Sequence, residues 1–458
     1  MSFLFPERKI KDAIREQRAE RTPGRQAAPG LHCLVVGSGG REHAITWRLL
    51  LDRGVGAVDV APGNGGTSLL ARNIENLPVV DAHRIAQHAM KNDIDLAIVG
   101  PDDASAAGVA DSLRRAGIPT VGPSRDAGRI EWSKVFAKEV LEQAGVPTAQ
   151  WWMFERIDDF AEFARDADRP LVVKADGLAA GKGVVVANTR EEALAAARAA
   201  LEERRFGDAG ARIVVEDRLN GTEVSLQALV DGDAIVPLPA SRDYKRVGDN
   251  DTGPNTGGMG AYSPSTELGD SDAVALAEKL IAPIARELVR RGTPYRGVLY
   301  LGVMLTADGP YVLECNARFG DPEAQVVLPR IRGDFSALML ALANGRLASY
   351  VADHPPEISD EHVVDVVIAA RDYPAKPTTG EAISGLFELP PGTLVFHAGT
   401  RRVNDSFITS GGRVVHVVGK GASLEAAREA AYRAAEHIRF ASAFYRSDIA
   451  ARTAVHAS

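Results

Sequence analysis

From Cys33 to Val121 short apolar runs alternate with helix-like stretches, and no other pattern in the sequence narrows the fold as far. Cys33–Gly37, Val58–Val60, Leu96–Gly100 and Ile118–Val121 read as strands, while Glu42–Leu51, Arg84–Lys91 and Ala106–Ala116 read as helices. Continuous apolar strands are buried on both faces, and a helix between each pair returns the chain to the same edge of the sheet. The expected fold class is α/β, with residues 32–130 forming a doubly wound parallel-sheet domain.

The rest of the 458-residue chain is too long for one further core. Lys134–Gln143 reads as a helix. Pro170–Lys174 and Gly183–Ala187 read as strands joined by a glycine loop, ahead of the helix Glu192–Glu203. Strands follow at Arg212–Glu216, Glu223–Val230 and Ala234–Pro237. A long glycine-rich loop leads to the helix Asp272–Arg291, and Gly297–Leu305 with Pro310–Cys315 reads as a hairpin, followed by the helix Phe335–Asn344. Strands at Val363–Ala369, Thr393–His397 and Val414–Val418 precede a last helix, Leu424–Phe440. The expected division is 131–345, carrying a small α+β lid at about 148–212, and a C-terminal α+β domain at 346–458. Residues 1–31, polar and Arg-rich without an apolar segment, read as an extension and not as a targeting signal.

A formal net charge of −8 speaks against a nucleic-acid partner, whose phosphates seek a basic surface. No apolar run approaches the ~20 residues that span a bilayer. The two cysteines, Cys33 and Cys315, lie in apolar runs and read as buried thiols, not a disulfide framework.

Four clusters carry chemistry. In Gly37-Ser38-Gly39-Gly40-Arg41-Glu42-His43, a strand runs through glycines into a helix start, where bare N–H groups attract phosphate. Asp59 stands where a dinucleotide site holds its ribose, but Glu42 takes the place of the third glycine, and Pro62-Gly63-Asn64-Gly65-Gly66-Thr67 forms a second anion-type loop. A non-nucleotide phosphate is the better fit; two tight turns at strand ends remain the plain alternative. In Lys174-Ala175-Asp176-Gly177-Leu178-Ala179-Ala180-Gly181-Lys182-Gly183, no Ser or Thr follows the lysine and no long helix follows the loop, so it is not a Walker loop. It suits a lid whose N–H groups and lysine cover a triphosphate, or else a bare hairpin. In Glu314-Cys315-Asn316-Ala317-Arg318-Phe319-Gly320-Asp321-Pro322-Glu323, strand alternation puts Glu314 and Asn316 on one face. Those hard oxygens suit Mg²⁺ shared with phosphates, and Arg318 in the same row suits a carboxylate or phosphate. A solvated salt-bridge edge is the alternative. The fourth, Arg242-Asp243-Tyr244-Lys245-Arg246 with Gly253-Pro254-Asn255-Thr256-Gly257-Gly258-Met259-Gly260-Ala261-Tyr262, is too glycine-rich for an idle loop in a compact domain.

With the segment Glu131-Trp132-Ser133-Lys134-Val135-Phe136-Ala137-Lys138 and the tail pieces Ser410-Gly411-Gly412-Arg413-Val414 and Tyr445-Arg446-Ser447-Asp448-Ile449, these clusters resemble, in order, the glycinamide ribonucleotide synthetase family of ATP-grasp ligases. The resemblance spans residues 32–453. It implies a multidomain ATP-grasp fold and the joining of glycine to 5-phosphoribosylamine with ATP and Mg²⁺ (or Mn²⁺), through an acyl phosphate. It implies phosphate contacts from Lys134 and Lys174, a lid at Gly181, Lys182 and Gly183, an adenine hinge at Glu216, Asp217 and Leu219, and Glu223 near the ribose. Glu314 and Asn316 are the implied metal ligands. Gly39, Gly40 and Asn64 are implied at the ribosylamine phosphate, and Asp243, Lys245, Arg318 and Asp321 at the glycine pocket. Lys174, Arg318 and Asp243 are the implied catalytic groups. A cytoplasmic monomer without nucleic-acid or membrane partners is expected.

The chain departs from the family pattern at Arg242 and Tyr244, where Gln and His are usual, at Gly100-Pro101-Asp102-Asp103, and around Tyr373-Pro374. Arg242 is expected to turn away and pair with a carboxylate such as Asp249 or Asp251. Other readings are a divergent ligase for another carboxylate and amine, an inactive ATP-binding protein, and a nicotinamide enzyme.

Overall fold

The computed structural model describes residues 30–167, 169–179 and 183–451. The expected extension lies outside the described residues except for Gly30 and Leu31, and Leu31 opens the first strand. Gly181 and Lys182 also lie outside them.

The first sheet is parallel, in the order Arg72–Asn73, Val55–Pro62, Leu31–Gly37, Leu96–Val99, Thr120–Val121. Cys33 to Val36 are fully buried in its middle, as a strand covered on both faces requires. The single helix expected at Ala106–Ala116 is instead two, Asp102–Ala106 and Val109–Arg115. Gly108 between them has φ +74°, a left-handed turn that a helical periodicity does not reveal.

A small sheet orders Trp151–Phe154, Ile213–Asp217, Leu171–Ala175 and Val184–Ala187, with Lys174 opposite both Val214 and Val184. Helices Ile157–Asp166 and Arg190–Leu201 pack on it around Phe160, Val173, Ala197 and Val215. The strand at 151–154 and the helix at 157–166 were not legible in the sequence. A larger antiparallel sheet runs Ala234–Pro237, Thr222–Asp231, Arg296–Thr306, Gly309–Asn316. The helix Lys134–Gln143 packs beside it, capped by Ser133, whose Oγ accepts the Phe136 N–H at 3.3 Å.

The glycine-rich stretch is not simply a loop. Gly260–Ser263 pairs with His362–Ala370, joining a sheet ordered Arg242–Asp243, Gly260–Ser263, His362–Ala370, Arg413–Gly421, Leu394–His397. The fourth cluster is therefore stitched into the C-terminal sheet. The last helix ends at Ala435, five residues short of Phe440. Both cysteines are buried, and burial pushes each thiol up to about 12, so neither is a thiolate at neutral pH. Among the described residues no helix is long and apolar enough to cross a membrane.

Candidate active site

Strands of the large sheet, the lid sheet and the helix start at Lys134 converge on a cavity of about 990 Å³. Lys134, Lys174, Gly183, Glu216, Asp217, Leu219 and Glu223 line it, together with Asp243, Lys245, Glu314, Asn316, Arg318 and Asp321. Residues far apart in sequence thus meet in one chamber.

On its lid side, Lys174 Nζ lies 2.6 Å from Glu216 Oε1 and donates to Leu313 O at 2.9 Å. Lys138 approaches the same Glu216 oxygen at 3.1 Å. Burial draws the Lys138 ammonium down to about 8, with Glu216 opposing it. Lys134 Nζ donates to Gly177 O at 3.3 Å, tying the helix start to the lid loop. Burial first, then the nearby Lys174, lowers the Lys134 pKa, and Glu314, Asp176 and Glu131 oppose the shift. The hinge strand is already paired: Asp217 N–H donates to Gln150 O at 3.0 Å and Arg218 N–H to Pro170 O at 3.1 Å.

On the sheet side, Gly302 lies between Glu223 and Glu314. A Cβ there would stand 3.1 Å from Glu314 Cγ and 3.2 Å from Glu223 Oε1, so the missing side chain makes room for both carboxylates. Lys245 bridges them, in contact with Glu223 and 3.1 Å from Glu314. Lys245 draws the Glu314 carboxyl down to about 2 against its burial. Asp243 behaves oppositely: burial pushes it well above the usual carboxylate range, Lys245 opposes this, and Glu323, Glu223 and Glu314 add to it.

Asn316 is buried, its Oδ1 accepts from Arg318 Nη2 at 3.3 Å, and its Nδ2 has no partner among the described residues. Glu314 and Asn316 therefore present oxygens of the type Mg²⁺ takes, close to two lysines suited to phosphate. Among the described residues no group of three or more His, Cys, Asp or Glu is placed to hold a metal. An ion here fits as one shared with nucleotide phosphates, not one caged by protein alone.

A second cavity, of about 370 Å³, is lined by Ser38, Gly39, Gly63, Asn64, Gly399 and Ser410 among others. Its walls are the two glycine turns of the first domain and loops of the last. Asn64 joins them: its Nδ2 donates to Ser38 O at 2.9 Å and His397 O at 2.8 Å, while its Oδ1 accepts the N–H groups of Gly66 and Thr67. Gly39 N–H is held by Glu42 Oε2 at 2.6 Å. Gly40 does not face this cavity; a Cβ there would come 2.5 Å from His416 Cδ2 and 2.7 Å from Gln325 Nε2.

The two cavities share Asp321, Tyr373 and Arg413. Arg413 Nη1 donates to Gly257 O at 2.6 Å and Asp321 O at 2.8 Å, and its Nη2 lies 3.1 Å from Asp321 Oδ2. Tyr373 Oη accepts the Gly257 N–H at 2.9 Å. The adjoining Gly258 has φ +109°, and a Cβ there would run into the Pro322 ring, which accounts for glycine at that position.

Sequence reasoning missed Lys138, Tyr373, Arg413 and Glu131 as site residues. Glu131, Lys138 and Arg413 stand inside the motifs that carry the resemblance, and Tyr373 in a stretch that departs from it, which was the available signal. The expected partner of Arg242 is corrected: it pairs with Glu267, and its guanidinium lies 5.7 Å from the Tyr244 ring. Asp251 instead pairs with Arg446 at 2.8 Å, and Asp249 accepts the Ser447 N–H at 2.8 Å. Those two carboxylates fasten the loop to the C-terminal tail.

The phosphoribosylglycinamide synthetase ATP-grasp (A) domain matches residues 132–324, so the chamber is that of an ATP-grasp ligase. The N domain of the same family matches residues 31–131 and the C domain residues 363–452. The phosphoribosylamine–glycine ligase of Halalkalibacterium halodurans is 42% identical over 92% of this chain and 97% of its own. A crystal structure of phosphoribosylamine–glycine ligase from Thermotoga maritima aligns with TM-score 0.79 at 34% identity, covering 92% of this chain and 100% of the other. The chain belongs to the phosphoribosylamine–glycine ligase family. The fold extends to a biotin carboxylase domain from Hydrogenobacter thermophilus, solved with MgADP and bicarbonate (TM-score 0.70, 18% identity, 92% of each chain).

Proposed function

We propose that the protein joins glycine to 5-phosphoribosylamine, driven by ATP, giving glycinamide ribonucleotide, ADP and phosphate, the second step of de novo purine synthesis. The observation that carries this reading is the shared wall of the two cavities. A chamber with two lysines and a carboxylate–amide pair abuts, through Asp321, Tyr373 and Arg413, a smaller chamber built from glycine turns. An acyl phosphate formed in the first has an amine held by its phosphate in the second as its neighbour.

Lys134 and Lys174 bind the nucleotide phosphates, with Gly183 and the lid above them. A phosphate entering competes with Glu216 for Lys174. Glu216, Asp217 and Leu219 border the adenine, and Glu223 the ribose. Glu314 and Asn316 would hold Mg²⁺ or Mn²⁺, which neutralises charge between phosphates when bound. Asp243, Lys245 and Arg318 orient glycine. Its carboxylate oxygen attacks the γ-phosphorus and the bond to ADP breaks. The ribosylamine nitrogen then attacks the carbonyl carbon, loses a proton, and phosphate leaves with the former carboxylate oxygen. The protein mainly positions the reactants and balances charge. We place the work in the cytoplasm, in a monomer divided at about 130 and 345.

ADP release with ATP, Mg²⁺, glycine and freshly made phosphoribosylamine, each omitted in turn, tests the reading. All four are required if it holds. Faster turnover with another small acid or amine would make the chain a divergent ligase.

A further inference from the structure

Behind the shared wall lies a cluster of buried polar groups that the mechanism above does not use. His416 and Asp365 sit on neighbouring strands of the C-terminal sheet, and both side chains are fully buried. His416 Nδ1 lies 2.7 Å from Asp365 Oδ2, while its Nε2 faces Asp321 Oδ1 at 3.6 Å. Asp365 Oδ1 has no partner among the described residues. Gln325 Nε2 donates to the same Asp321 oxygen at 2.8 Å. Gly40, at the head of the first helix, is packed against the ring.

Two carboxylates and an imidazole out of water are costly unless they do something for their neighbours. The ring lies between the two carboxylates, with Nδ1 toward Asp365 and Nε2 toward Asp321. Burial alone would push the Asp321 carboxyl up, yet Arg413, His416 and Arg41 hold it well below the usual range. Asp321 is thus an ionised group, gripped on its rear by three chain segments, whose front opens into both cavities.

We propose that His416, braced by Asp365, is a positioning residue that fixes the Asp321 carboxylate toward the amine of the second substrate at the junction of the two cavities. The inference rests on the ligase reading and moves Asp321 from the glycine pocket, where the resemblance put it, to the junction with the amine, because it lines both cavities. Neither His416 nor Asp365 lines either cavity, and among the described residues no contact links them to Lys174 or Glu314, so the proposed role lies with the amine and not with the first half-reaction.

The test compares wild type, His416→Phe, His416→Gln and Asp365→Asn by steady-state kinetics. The KM for each substrate is measured, together with positional isotope exchange in ATP incubated with glycine and no amine. Expected is at least a tenfold rise in the phosphoribosylamine KM for His416→Phe, with ATP and glycine KM values and isotope exchange within twofold of wild type. His416→Gln, which keeps a polar side chain between the two carboxylates, recovers most of that loss. Asp365→Asn, nearly the same shape, raises the same KM three- to tenfold and carries the test if the Phe variant does not fold. Equal changes in all three KM values, or none, overturn the inference and leave the ligase reading intact. A wild type that does not consume phosphoribosylamine overturns the ligase reading itself.

Discussion

Glu131 Oε1 holds Arg318 Nε at 2.9 Å, while its other oxygen accepts the Ala317 N–H at 2.8 Å. One carboxylate at the end of the helix Arg125–Trp132 thus fixes both the direction of the Arg318 side chain and the backbone beside it. Glu131→Gln keeps the shape and removes the charge. It should lower kcat/KM for glycine by about 10- to 100-fold, the usual size when the outer partner of a functional group is lost. Glu131→Ala should also destabilise the fold, by up to roughly 3 kcal/mol, because it leaves the half-buried Arg318 without its carboxylate. Unchanged glycine kinetics in the Gln variant would remove Arg318 from the glycine pocket.

Lys174→Ala should cost about 10²- to 10³-fold in turnover, as for one preorganised charge contact at a transition state. Glu314→Gln should cost several orders of magnitude while its melting temperature stays near wild type. Electron paramagnetic resonance of Mn²⁺ with ADP should then show weakened ion binding in the Glu314 variant alone. Equal Mn²⁺ affinity in both variants would argue that Glu314 is not a ligand.

His43 and His397 make the fold acid-sensitive. His43 Nδ1 accepts the His397 N–H at 2.8 Å, which requires a bare nitrogen. Burial lowers His397 to about 4 and His43 well below the ordinary value. Both therefore bind a proton more readily unfolded, at about 6.5, than folded. Their contribution to stability is complete above about pH 6.5 and is lost as pH falls toward about 4, at up to ~1.4 kcal/mol per pH unit for each. Urea midpoints measured across that window should fall with pH, and His397→Gln should flatten the slope. A midpoint rising on acidification would contradict the assignment.

Arg242 and Tyr244 differ from the family pattern; Arg242 lines the large cavity, yet its charge is paired with Glu267. Tyr244 is nine-tenths buried, and its hydroxyl accepts the Ala450 N–H at 3.0 Å. The double change Arg242→Gln with Tyr244→His should shift the glycine KM less than about tenfold, under roughly 1.4 kcal/mol. A changed preference over a panel of small acids would point to the divergent ligase instead.

What the sequence revealed, and what it hid, follows from range. Parallel strands such as Cys33–Gly37 are legible because burial on both faces leaves an unbroken apolar run. The Glu314–Asn316 row is legible because strand alternation is local. The pairing of Gly260–Ser263 with His362–Ala370 is not, since a hundred intervening residues separate partners that only the folded sheet brings together. The same holds for Arg242, whose partner depends on the path of the loop after Tyr262. Asp365 and His416 read as polar interruptions in apolar strands, and nothing local says that they meet behind Asp321. Gly108 shows the reverse failure, where a conformational break sits inside an otherwise good helical pattern.

The account depends most on the glycine carboxylate becoming an acyl phosphate that the ribosylamine nitrogen then opens. Turnover of glycine labelled with ¹⁸O in both carboxylate oxygens, with ATP, Mg²⁺ and phosphoribosylamine, tests this directly. Mass spectrometry should find one ¹⁸O in each inorganic phosphate released, one in the glycinamide product, and none in ADP. Unlabelled phosphate, or label in AMP with pyrophosphate as co-product, would contradict it.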